Sequence, residues 1–172
     1  LSYLKHMPNL TVMAPQDGAE LESMMELAAK LDGPCAIRYP RGTAPQLGRA
    51  CHGEPLEIGR SIRLREGKDA DIWALGSMVE KALDAAELLK KLGVEVGVVN
   101  MRFAKPLDAD ALQEAAKAHD LIVTLEDNVL TGGAGEEIDA LLINENTRVV
   151  NMGWPDTFIE HGSCDQLYHA YG

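Results

Sequence analysis

From Ala70 onward, short apolar runs alternate with stretches of helical period, and this rhythm limits the fold more than any other feature. The runs "ADIWALG", "VEVGVVNM", "LIVTLED" and "TRVVNMG" are separated by "SMVEKALDAAELLKKLG", "DADALQEAAKAHD" and "GAGEEIDALLINE", and "SCDQLYHAYG" follows the last. Strands this apolar are buried on both faces, and the helices between them supply the parallel crossovers. "IGRSIRLREG" precedes the series and alternates as a half-exposed strand does. No helix separates it from the next run, so an antiparallel or edge position is expected. The expectation is an α/β domain of three layers, α/β/α, around a mostly parallel five-stranded sheet.

The helices carry their own stop and start signals. Ser77 with Glu80 reads as a cap, Lys90 and Lys91 fall in the last turn, and Gly93 ends the helix. Ser163 and Gln166 repeat the capping spacing. Nearer the start, "LTVMAP" and "CAIRY" read as strands around one helix. Asp17 and Glu20 cap that helix, Leu21, Met24, Met25 and Ala28 form its apolar stripe, and Gly33 is expected to stop it. The order implies a right-handed parallel βαβ unit. Two strands and a helix cannot make a complete domain. Residues 1–45 are therefore read as the tail of a larger α/β domain, 46–56 as a proline- and glycine-rich linker, and 57–172 as the domain of the alternating series. The opening "LSYLKHMP" starts inside an element, and the 172 residues are read as a piece of a longer polypeptide.

The formal net charge of −11 argues against nucleic acid or an anionic membrane as partner, since both need a basic surface. It leaves room for a small anion in a local basic pocket. The apolar runs are far too short to span a bilayer, and no signal peptide is visible. Cys35, Cys51 and Cys164 have no metal or disulfide spacing, and fit reduced thiols in a cytoplasm.

Most candidate motifs have plain structural readings. "TGGAGEEI" lacks a Lys-Ser/Thr pair, and Glu136 and Glu137 would repel an anion from the helix start, so it reads as a tight packing turn. Asp156, His161 and Ser163 suggest a triad, but no nucleophile elbow accompanies them. Adjacent Cys51 and His52 do not have ligand spacing. Glu126 and Asp127 end a strand on the side where open sheets bind ligands, and they equally suit a helix cap or a subunit contact. A regulatory small-molecule site at the "TLEDN"/"TGGAG" edge is a further reading.

Arg38 and Arg41 flank Pro40, which stops the "CAIRY" strand at the ligand side of a parallel sheet. Two guanidiniums there could fork a phosphate or carboxylate, or bridge to some of the 27 acidic side chains.

"LSYLKHMPNLTVMAP", "DGPCAIRYPRG", "NMRFAKPLD", "VTLEDNVLTGGAG" and "GWPDTFIEHGS" together resemble the bacterial 1-deoxy-D-xylulose-5-phosphate synthase family, of transketolase-like architecture. The resemblance covers essentially the whole chain. It implies a transferase, dependent on thiamine diphosphate and Mg2+, that condenses pyruvate with D-glyceraldehyde 3-phosphate and releases CO2 in non-mevalonate isoprenoid biosynthesis. The chain would hold the end of the pyrimidine-binding domain and most of the transketolase C-terminal domain, within a cytoplasmic homodimer. Its partners would be the rest of the polypeptide and a small phosphate substrate. Arg41 matches a family residue that binds the acceptor's phosphate, and Arg38 is the neighbouring candidate. The resemblance assigns no catalytic, cofactor or metal residue to the chain. His6, His52, His119, His161 and His169 match no catalytic position of the family. The isolated piece is expected to be inactive, supporting dimerisation and acceptor-phosphate binding. The alternative is a non-catalytic dimerisation or regulatory domain of a transketolase or a 2-oxoacid dehydrogenase β subunit.

Overall fold

The computed structural model describes residues 1–43 and 56–171. The elements in chain order are α1 (Ser2–Lys5), β1 (Thr11–Met13), α2 (Gly18–Lys30), β2 (Cys35–Ile37), β3 (Ile62–Arg65), β4 (Ala70–Leu75) and α3 (Met78–Lys91). They continue with β5 (Val96–Asn100), β6 (Phe103–Lys105), α4 (Ala109–Ala118), β7 (Leu121–Val129), α5 (Ala134–Leu141), β8 (Arg148–Trp154) and α6 (Cys164–Tyr171). The linker expected at 46–56, with Cys51 and His52, lies almost wholly outside the described residues.

The larger sheet has the order β3-β5-β4-β7-β8. β4, β5, β7 and β8 are parallel, and β3 pairs antiparallel to β5 on the edge, as the missing crossover required. Side chains alternate across the sheet. Trp73 and Leu75 of β4 pack with Leu112 and Ala115 of α4 and Ile138 of α5. Ile72 and Ala74 face Val79, Ala82 and Ala86 of α3, with Tyr168 of α6 packed on the same side. These are the three layers expected.

Near the start, β1 and β2 pair in parallel across α2, completing the βαβ unit. The sequence reading lacked β6. "FAK" crosses to this smaller sheet and pairs antiparallel to β1, giving the order β2-β1-β6. Phe103 then packs with Met13 of β1 and Met24 of α2. The crossing is tied on both sides: the Met101 N–H donates to the Ala74 carbonyl, and the Ala14 N–H to the Arg102 carbonyl, each at 2.9 Å.

Two helix signals act differently from expectation. Ser77 precedes α3 with helical torsions (φ −59°, ψ −16°), and its side chain makes no cap bond. α2 ends on the extended Leu31 (φ −69°, ψ 131°), because the chain turns directly toward β2, so Gly33 does not form the stop. Gly93 does behave as a helix-ending glycine. Its φ is 84°, and Gly93 and Val94 donate back to Lys90 and Leu89 at 3.0 Å. Among the described residues no helix is long and apolar enough to cross a membrane.

Candidate functional site

β1 and β2 run in parallel, so the crevice beyond their C-terminal ends is the side on which such sheets receive ligands. The structure has a cavity of about 460 Å³ there. Pro15, Gln16 and Asp17 line it from the β1–α2 turn, Tyr39 and Arg41 from beyond β2, and Ser77 from the start of α3. Hydrogen bonds fix the turn. Asp17 accepts from the Glu20 N–H at 2.9 Å, and Glu20 accepts from the Gln16 N–H at 2.7 Å. Arg41 is exposed and has no acidic partner among the described residues.

Arg38 occupies a different place. Its Nη2 donates to the Asp127 carboxylate at 2.6 Å and to the Asp127 carbonyl at 3.0 Å. Asp127 also accepts from Trp154 Nε1 at 2.7 Å. Trp154 stacks on Tyr168 at 5.3 Å, and Lys81 lies 4.5 Å above the Tyr168 ring. Burial, with the Asp127 charge nearby, pushes the Tyr168 hydroxyl up to about 12. The two arginines therefore do not meet on one cavity: Arg41 lines it, and Arg38 ties the β2 end to β7.

Glu126, 2% exposed, accepts from the Ala134 and Gly135 N–H groups at 3.1 and 2.9 Å. The chain's own carboxylate thus holds the N-terminus of α5, where an outside anion would otherwise bind. A Cβ on Gly133 would strike Glu126, and one on Gly135 would lie 2.6 Å from Asn151, so the glycines serve close packing. Ser163 and Gln166 bond reciprocally at the start of α6. Asp156 and His161 are exposed and join no cluster with Ser163. Among the described residues no three His, Cys, Asp or Glu side chains are placed to hold a metal. His119 is partly buried, its side chain 8% exposed, with Nε2 3.5 Å from Asp71 beside the Arg63–Asp71 pair, while His6 and His169 are exposed.

The sequence reading missed a buried network behind the cavity. Glu20 accepts from Arg102 Nε at 2.9 Å and from Asn100 Nδ2 at 3.0 Å. Glu20 falls at i, i+4, i+8 with Met24 and Ala28. An acid on that apolar stripe is a signal that a buried partner must exist.

This architecture is of the transketolase type. The family model for the transketolase C-terminal domain matches residues 59–172, the model for the transketolase pyrimidine-binding domain matches 1–46, and the chain belongs to the transketolase family. More particularly, the chain is similar to curated proteins named 1-deoxy-D-xylulose-5-phosphate synthase. The one from Caldanaerobacter subterraneus subsp. tengcongensis is 43% identical over 174 residues, and the one from Acidobacterium capsulatum 45% over 176. Each match covers the whole chain, which spans 28% of each relative's length. Among solved structures, a split-gene transketolase described as an inactive β4 tetramer superposes with a TM-score of 0.91 at 35% identity, covering all of this chain and 55% of that one. Transketolase from Campylobacter jejuni gives 0.74 at 22% identity, covering 99% and 25%, a likeness of fold.

Proposed function

We propose that the chain forms the C-terminal part of a 1-deoxy-D-xylulose-5-phosphate synthase, and that it contributes the site for the acceptor's phosphate. The assembled enzyme condenses pyruvate with D-glyceraldehyde 3-phosphate: one carbon–carbon bond forms, and the pyruvate carboxyl leaves as CO2. The observation that carries this reading is Arg41. It is an exposed guanidinium without an acidic partner among the described residues, on a cavity beyond the ends of two parallel strands. A dianionic phosphate is the natural mate of such a group. Holding the phosphate orients the aldehyde at the far end of the acceptor, and positioning of that kind lowers the barrier to condensation. Arg38 supports the site from behind by fixing the strand end from which Arg41 projects.

The family's resident group is thiamine diphosphate with Mg2+. The described residues do not fit it. The N-termini of α2 and α5 already hold Asp17 and Glu126, and no metal-ligating cluster is present among them. The group belongs to other parts of the assembly, in a cytoplasmic homodimer. The split-gene relative is described as inactive, which supports an inactive chain in isolation.

The test is assay of the complete enzyme with pyruvate and the aldehyde phosphate. The reading predicts one CO2 released for each five-carbon ketose phosphate formed. Turnover with ketose phosphate donors and none with pyruvate would favour a transketolase instead.

A further inference from the structure

Glu20 and Arg102 form a nearly closed ion pair, with side chains 1% and 4% exposed. The pair joins the two matched segments, since Glu20 sits on α2 and Arg102 follows β5 of the larger sheet. Each partner of the pair accepts a backbone hydrogen bond from the chain at the β1–α2 turn. Glu20 holds the Gln16 N–H, the Arg102 carbonyl holds the Ala14 N–H, and Asn100 braces both partners, donating to Glu20 and accepting from the Arg102 N–H at 3.0 Å. Pro15 and Gln16 lie between these grips and form a wall of the Arg41 cavity.

Arg102 also has φ 59°, a left-handed torsion that a residue with a side chain seldom adopts. Such strain persists only where surrounding bonds over-determine it, and it concentrates at sites of function. An apolar pair would fill this space without the desolvation of two charges. The charged pair adds directional control over one backbone N–H beside the cavity.

We propose that Arg102 is a positioning residue for the acceptor site: through Glu20 it fixes the Pro15–Gln16 wall against which the phosphate held by Arg41 is seated. The larger domain thereby sets acceptor binding as well as assembly. This rests on the phosphate reading of Arg41.

The experiment uses the complete enzyme with Arg102→Lys, Glu20→Gln, Arg41→Ala and the combination of Arg102→Lys with Arg41→Ala. Arg102→Lys keeps the charge and loses the Nε bond. It should raise KM for the phosphorylated acceptor by about tenfold. KM for pyruvate, and kcat/KM for an unphosphorylated aldehyde, should change by no more than about twofold. Glu20→Gln should move the same ratio in the same direction. In the Arg41→Ala background Arg102→Lys should add nothing to the selective loss, because both act on one contact. Equal losses for both acceptors, or full additivity with Arg41→Ala, would overturn the role of Arg102 and leave the phosphate reading standing. A non-selective Arg41→Ala would sink the phosphate reading, and this inference with it. If Arg102→Lys does not fold, Glu20→Gln with Arg102→Gln removes both charges and is read by the same ratio.

Discussion

Arg38 and Asp127, 89 positions apart in the chain, are joined by a 2.6 Å ion pair that ties the end of β2 to β7. Both side chains are partly screened from water, 29% and 18% exposed, and Trp154 Nε1 shares the carboxylate. This contact gives the smaller sheet a fixed seat on the larger one.

Asp127→Asn should therefore cost about 1–3 kcal/mol, more than a free surface pair contributes. Urea unfolding followed by tryptophan fluorescence measures it. Arg38→Met with Asp127→Leu should recover part of the loss, since neither charge is then left alone. A change under about 0.5 kcal/mol for Asp127→Asn would mean that the pair is only a solvated contact.

Gly133→Ala and Gly135→Ala should each destabilise the chain by about 1–3 kcal/mol, because the added methyls meet Glu126 and Asn151 in a packed turn. Glu126→Ala should cost at least as much, since it strips two buried N–H groups of their acceptor. Thermal melts of the three variants test the packing account. An unchanged Tm in Gly133→Ala would contradict it.

Asp108 sets a dependence on acid. Burial pushes its carboxyl up, but hydrogen bonds from the Ser61 N–H and hydroxyl, the Ala111 N–H and Arg60 overcome this and hold it below the usual range. Its stabilising effect is present above the unfolded value of about 3.9 and is lost as pH falls through the lower folded value. Asp108→Asn should lower Tm at neutral pH, and the gap from the parent should close below about pH 4. A gap independent of pH would show that the charge is not what stabilises.

The chain alone should bind no thiamine diphosphate. Its helix N-termini at α2 and α5 are filled by its own carboxylates, and a diphosphate has to displace them. Calorimetric titration with the cofactor and magnesium decides this, and saturable heat at micromolar concentration would contradict it.

The alternating runs made most of the larger sheet legible, including its antiparallel edge, because buried parallel strands need little beyond apolar content and crossovers. β6 was not legible. Its three residues make a strand only because β1, some ninety positions earlier, offers an open edge, and no local pattern encodes that pairing. Ser77 shows the reverse failure: its spacing suited a cap, but the turn after Gly76 enters the helix early. Glu20 at the third helical position read as half of a capping box, while its carboxylate is drawn to Gln16, Asn100 and Arg102. Arg38 and Arg41 look alike in sequence. They part because one guanidinium meets an acid brought to it by the fold of another sheet.

Steady-state kinetics of Arg41→Ala in the complete enzyme, with a phosphorylated and an unphosphorylated aldehyde acceptor, test the central claim most directly. Losing a charge-assisted phosphate contact should cost about 2–4 kcal/mol, a fall of roughly thirty- to a thousandfold in kcat/KM for the phosphorylated acceptor. Arg41→Lys should recover only part of it, since one ammonium cannot reproduce a planar fork. The unphosphorylated acceptor should be nearly indifferent to either change. Equal losses for the two acceptors would contradict the account and show that Arg41 serves the fold and not the phosphate.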